Sequence, residues 1–260
     1  PLSPLEDGGR NIIIALGKAA SPMMRQALEM IPEPLQALVV TNPENLCDIP
    51  GATTMAGTHP VPDEASAAAG RAVIDLLKTA TAKDRVVALI SGGGSALMVS
   101  PAPGLTLADK AAVGASLLAS GLNINDMNLI RQQLSDLKGG GLLRHAAPAP
   151  VTTFILSDVI GDDLRAIASG PTVGPIGTRA EARDMMQHAD IWQTAPASVQ
   201  THLSTKANAP GDHPEANNTL IGSNQHSLQA MLDAAIGWDA QVASDSLTGD
   251  VELAAQSVVD

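Results

Sequence analysis

The chain has 260 residues, 45% of them hydrophobic, and sets 15 lysines and arginines against 27 acids, a net charge of −12. That balance speaks against a protein that coats nucleic acid phosphates or an anionic membrane. Three aromatics, Phe154, Trp192 and Trp238, are too few for base-stacking platforms. The core must be aliphatic. The one cysteine, Cys47, cannot form an internal disulfide, which suits a reducing, cytoplasmic compartment. No apolar run approaches the ~20 residues of a spanning helix, so no membrane partner is expected. The opening Pro1-Leu2-Ser3-Pro4 reads as neither a signal peptide nor an initiator segment, as in a fragment or a processed chain.

In chain order, Ile12–Leu16, Leu38–Thr41, Val86–Ser91, Val151–Ser157 and Leu220–Gly222 read as buried strands. They are short, apolar and bounded by Gly, Pro or Asn. Helices are expected at Asp63–Lys78, Leu107–Ala119, Ile124–Leu137, Arg179–His188 and Gln225–Ile236. Pro62 and Asp63 supply the first of these with a start signal. Thr205–Asn218 reads as a loop, and Asp250–Asp260 as a helix without a stop signal. Strands alternating with helices predict a three-layer, Rossmann-like α/β fold around a mainly parallel sheet.

Four segments carry candidate chemistry. Ser91-Gly92-Gly93-Gly94-Ser95 follows a strand directly, and its N–H groups, with a helix opening at Ser95, suit an anion. A tight turn under packing pressure is the structural alternative. Lys18, at the end of the first strand, can reach a ligand crevice. Lys138 either does the same or offsets the dipole of a helix ending near Leu137. Ser157-Asp158-Val159-Ile160-Gly161-Asp162-Asp163 offers Asp158 for Mg²⁺, a hard cation that prefers oxygen, with Asp163 better suited to capping a turn. Ser169 and Thr172 lie in a hydroxyl-rich turn, and His59 is stiffened by Pro60 and Pro62. An isolated histidine is more often structural than catalytic. Neither a zinc pattern nor a G-x-S-x-G elbow is present.

Taken in order, Gly17-Lys18-Ala19-Ala20, Gly57-Thr58-His59-Pro60-Val61-Pro62-Asp63-Glu64, Ser91-Gly92-Gly93-Gly94-Ser95-Ala96-Leu97, Leu134-Ser135-Asp136-Leu137-Lys138-Gly139-Gly140, Ser157-Asp158-Val159-Ile160-Gly161-Asp162 and Ile167-Ala168-Ser169-Gly170-Pro171-Thr172 resemble the glycerate 2-kinase family. Ile221-Gly222-Ser223-Asn224 continues the match.

The resemblance implies phosphorylation of D-glycerate at its 2-hydroxyl, with ATP and Mg²⁺. It implies Lys18 as the catalytic lysine, and Asp158, by its place at a strand end, is the candidate to hold the Mg²⁺. Ser91, Gly92, Gly93, Gly94, Ser95, His59, Arg131, Lys138, Ser169 and Thr172 would then contact nucleotide or substrate. It further implies an N-terminal α/β domain over residues 1–245, with 246–260 leading toward the family's C-terminal MOFRL domain, so that this chain holds one wall of the cleft. Where relatives carry a histidine before the Leu-Ser pair, this chain has Gln133, which does not titrate at neutral pH.

Some family members are labelled hydroxypyruvate reductase, which makes a nicotinamide-dependent oxidoreductase the first alternative. The missing G-x-G-x-x-G turn speaks against it. A non-catalytic anion-binding fragment is the second. The sequence sets no oligomeric state.

Overall fold

A computed structural model describes residues 2, 5–206, 215–238, 242, 251, 252, 255 and 256. The elements are β1 (Asn11–Leu16), α1 (Ala20–Met30), β2 (Leu35–Thr41), β3 (Thr53–Ala56), α2 (Glu64–Leu77), β4 (Arg85–Ile90), α3 (Gly94–Leu97), α4 (Leu107–Ala119), α5 (Ile124–Gln133), α6 (Gly141–Ala146), β5 (Val151–Leu156), α7 (Arg179–His188), α8 (Ala197–Ser204), β6 (Ala216–Gly222) and α9 (Asn224–Ala234). By compactness the chain divides into two units, Pro1–Asn224 and Gln225–Asp260.

The first unit contains a six-stranded sheet in the order β3-β2-β1-β4-β5-β6. Every pairing is parallel, with Ile14 set beside both Leu38 and Ala88. β1 and β4 are buried along their whole length, which is why they read as unbroken apolar runs. Alternate residues serve opposite layers. Ile12, Ile14 and Leu16 pack with Val73 and Leu77 of α2, whereas Ile13 and Ala15 pack with Ala20 and Met24 of α1. A third cluster joins Val113 and Leu117 of α4, Ile130 of α5, Met186 of α7 and Val199 of α8. The three-layer α/β expectation therefore holds, with a helical annex built on α4, α5, α7 and α8.

Local chemistry sets the helix starts. Asp63 caps α2 by accepting from the Ala65 and Ser66 amides. Thr106 with Asp109, and Thr178 with Glu181, close reciprocal capping boxes at α4 and α7.

Several boundaries differ from the sequence-based expectation. α5 stops at Gln133, not Leu137. The Ser135 hydroxyl accepts from the Leu137 and Lys138 amides at 3.3 Å each, and Ser135 bridges to Pro101, so the backbone leaves the helix. The helix after the glycine run starts at Gly94, one residue before Ser95, and is a single turn. Within Thr205–Asn218, Ala216–Asn218 belongs to β6, and residues 207–214 lie outside the described residues. Most of Asp250–Asp260 also lies outside them. Among the described residues no helix is long and apolar enough to cross a membrane.

Candidate active site

The chain runs from β1 outward through β2 to β3, then returns to place β4 on the other side of β1. The strand order thus reverses between β1 and β4. In open α/β sheets ligands bind beyond the carboxyl ends of the strands at such a point. Lys18 follows β1, and Ser91–Ser95 follow β4. The two loops are stitched together. The Lys18 amide donates to the Gly92 carbonyl at 2.9 Å, and the Ala19 amide donates to Ser91 Oγ at 3.1 Å. Ser91 Oγ in turn donates to the Leu16 carbonyl at 3.2 Å.

The glycines are there because neighbours occupy the space of a Cβ. At Gly92 that atom would fall 1.9 Å from Asp158 Oδ2, and at Gly93 (φ +84°) 3.2 Å from Lys18 Cε. The Lys18 stem therefore lies along Gly93, and the Asp158 carboxylate sits against Gly92. Both side chains are exposed. A cation and a carboxylate thus flank one glycine crest at the switch point. Glu44, which the sequence reading did not pick out, belongs to the same rim. Its pKa is lowered by a backbone hydrogen bond first, with smaller contributions from Lys18 and the exposed His59.

Behind the crest the site continues inward. Lys138 Nζ donates to Ser95 Oγ at 2.8 Å, Ser95 Oγ lies 2.8 Å from Ser169 Oγ, and Ser169 Oγ donates to Asn128 Oδ1 at 3.1 Å. Lys138 is 4% exposed. It is not a cation at a helix end, because α5 has already stopped. Ala168 and Ser169 adopt φ of 50° and 61°. Such left-handed backbone costs of order 1–3 kcal/mol per residue and persists where the surroundings over-determine it. Here Gln132 Nε2 and the Gly139 amide both hold the Ser169 carbonyl, at 3.1 and 3.2 Å.

Thr172 is buried but spends its hydroxyl on Asn218 Oδ1 at 2.9 Å, away from this chain of hydroxyls. Asp163 accepts from the Arg165 amide, the turn-capping role expected of it. Gln133 donates its amide to the Gly177 carbonyl, and His202 Nε2 lies 2.9 Å from the Gln133 carbonyl.

Lys110 of α4 was not legible as a site residue, since it reads as one polar position on an amphipathic helix. Its Nζ donates to the Leu134 carbonyl at 3.0 Å. Burial, and then the Arg131 charge, push its pKa down to about 7. Burial likewise depresses Lys138, with Lys110 and Arg131 as the further causes, and depresses Arg131 itself. Between pH 7 and 10.5 the unfolded chain keeps a proton on Lys110 that the folded chain has lost, so stability should rise with pH across that window. Urea midpoints at intervals through it should show this rise, with a smaller slope in Lys110→Gln. An unchanged slope in the variant would refute the assignment.

Among the described residues no three His, Cys, Asp or Glu side chains gather into a metal cluster. What the fold and site define is a parallel α/β protein with a glycine crest, flanked by a lysine and a carboxylate, at its switch point. Residues 2–204 match the family described as Domain of unknown function (DUF4147), and the chain belongs to that family. A glycerate 2-kinase from Pyrococcus horikoshii is 35% identical over 252 residues, covering 94% of this chain and 57% of that protein. A rat glycerate kinase is 36% identical over 267 residues, covering 94% and 50%. A protein from Agrobacterium vitis, provisionally named a hydroxypyruvate reductase, is 39% identical over 248 residues, covering 93% and 63%. The crystal structure of a glycerate kinase from Thermotoga maritima superposes with a TM-score of 0.81 at 31% identity, covering 89% of this chain and 55% of that one. The resemblance to the glycerate 2-kinase family is thus borne out for its N-terminal part. The chain spans between 50% and 63% of the length of these curated relatives.

Proposed function

We propose that the chain forms the N-terminal part of a glycerate 2-kinase, which transfers a phosphoryl group from ATP to the 2-hydroxyl of D-glycerate. The observation that carries this is Lys18 lying over Gly93, with Asp158 against Gly92, at the switch point of a sheet shared with glycerate kinases. Phosphoryl transfer asks for positioning and charge neutralisation more than covalent chemistry. Lys18 neutralises charge at the reacting centre. The Gly92–Gly94 backbone N–H groups orient the anion, while Ser91 and Ser95, whose hydroxyl protons go to the Leu16 carbonyl and to Ser169, hold the crest in place. Arg131, Lys138 and Ser169 complete the inner wall, His59 stands at the rim, and Thr172, bonded to Asn218, takes no part.

Mg²⁺ is normally held by one or two protein carboxylates together with substrate phosphates and water. Asp158, an exposed carboxylate in a niche that a Cβ at Gly92 would fill, suits that donor set. Bound there, the ion would neutralise charge on phosphate oxygens.

In this reading residues 1–245 form the domain, 246–260 lead on from it, and the remainder of a longer protein supplies the opposite wall. The compartment is the cytoplasm, supported by the single Cys47. The reductase alternative is not favoured, because the loop after β1 is Gly17-Lys18-Ala19, without a dinucleotide turn. The test is a pair of assays on the full-length protein, one with ATP and D-glycerate, the other with NADH and hydroxypyruvate. Turnover is expected in the first alone. Turnover in the second alone would replace the kinase reading.

A further inference from the structure

The geometry points to one phosphoryl-type oxyanion held among Lys110, Arg131 and Lys138, with Lys110 as a contact that the reading above does not assign. The inference rests on that reading in treating Arg131 and Lys138 as anion contacts. It adds a third cation and the charge class of the group they meet.

The hydroxyl relay fixes how the donors are used. An ammonium only donates, and the Asn128 carbonyl oxygen only accepts. Lys138 therefore donates to Ser95, Ser95 to Ser169, and Ser169 to Asn128. One of the three N–H groups of Lys138 is engaged, and one of Lys110, which donates to the Leu134 carbonyl. Among the described residues, the Arg131 side chain makes no hydrogen bond to the protein, and no carboxylate lies within 4.0 Å of any of the three cations. Asp136, two residues from Lys138, turns instead to His145 Nε2 at 2.9 Å.

Acids outnumber cations 27 to 15 in this chain, yet none is placed here. Lys110, Arg131 and Lys138 each keep donors that no protein acceptor takes up, which suits an anionic ligand. A carboxylate with one negative charge would leave the cluster positive. A phosphoryl group, which approaches two negative charges and offers three acceptor oxygens, matches it better. A purely structural role for Lys110, satisfying the carbonyl at the end of α5, accounts for one donor. It gives no reason for Arg131 and Lys138 to stand beside it.

The test is calorimetric titration of inorganic phosphate into the chain, with thermal melts in phosphate-free buffer. Lys110→Gln keeps a donor for Leu134 but loses the charge. It should weaken phosphate binding by about tenfold or more while leaving the phosphate-free melting temperature unchanged or raised. Wild-type phosphate affinity in Lys110→Gln would overturn the inference, as would an absence of phosphate binding to the unaltered chain. Should that variant fail to fold, Arg131→Gln, whose side chain the fold does not hydrogen-bond, is read in the same way.

Competition with ATP and with 2-phosphoglycerate tells which molecule carries the group. Displacement by either supports the site, and displacement by neither contradicts it. Phosphate binding in a protein without kinase turnover would refute the kinase reading alone. Turnover without phosphate binding would refute this inference alone.

Discussion

Lys18→Ala should lower kcat for D-glycerate phosphorylation by the full-length protein about 10²–10³-fold, the cost of removing one pre-organised charge-stabilising donor at a reacting centre. The fold should survive. Lys18 is exposed, and its part in joining the β1 and β4 loops is played by its backbone amide, which alanine keeps. Melting temperature should therefore stay close to that of the parent, as for most surface substitutions. Lys18→Arg separates charge from shape. It restores the charge but carries it on a longer planar fork over Gly93, so partial activity is expected. Initial rates under saturating ATP, beside thermal melts of the same preparations, check both halves. Near-parental kinetics in Lys18→Ala would remove this residue from the reaction.

Gly17→Ala should have the largest effect on stability. Its φ is +114°, and a Cβ there would fall 2.3 Å from Ser91 Oγ and 2.5 Å from the Ser91 carbonyl oxygen. Ser91 cannot easily yield, because its hydroxyl already joins the Leu16 carbonyl to the Ala19 amide. Left-handed backbone costs a non-glycine residue about 1–2 kcal/mol. Overpacking adds about 1–3 kcal/mol, so a total of about 2–5 kcal/mol is expected. Gly104→Ala is the control. Its φ is +87° with nothing within 4 Å of the added atom, so it bears the backbone term alone. Urea denaturation of the two variants should separate them by the overpacking term. Equal losses would mean that the β1 and β4 loops are not pressed together, and the close approach of Lys18 to the glycine crest would fall with them.

The sheet was largely legible because β1 and β4 are buried on both faces and must be aliphatic throughout, whatever packs against them. β3 was not legible. Thr53–Ala56 is a short, partly exposed edge strand with two threonines, so no apolar run announces it. α1 escaped notice because Ala20-Ser21-Pro22 looks like a loop, although a proline in the first helical turn removes no hydrogen bond that the helix needs. α6 was hidden by Gly139–Gly141, whose left-handed φ at Gly139 and Gly140 makes a turn that immediately enters the helix.

The crest of the site was visible for a different reason. A glycine run after a strand, and a lysine after another, each show a backbone demand or a charge at an element end. Of the inner wall, Ser95, Lys138 and Ser169 were picked out singly, but their meeting was not legible, because they and Asn128 lie far apart in the chain and come together only through the tertiary fold. Lys110 likewise gains its character from burial beside Arg131, which no local pattern encodes. The acidic net charge even pointed away from a cation cluster, since a sum over the chain says nothing of where its few cations gather.

Amide hydrogen exchange of this chain, with and without saturating ATP and Mg²⁺, tests most directly that the reaction centres on the switch point between β1 and β4. Added protection is expected at Gly17–Ala20, Ser91–Ala96 and the segment around Asp158, and it should fall sharply in Lys18→Ala. Protection confined to the opposite ends of the strands, around Arg10, Asp84 and Pro150, with the glycine crest unchanged, would contradict it.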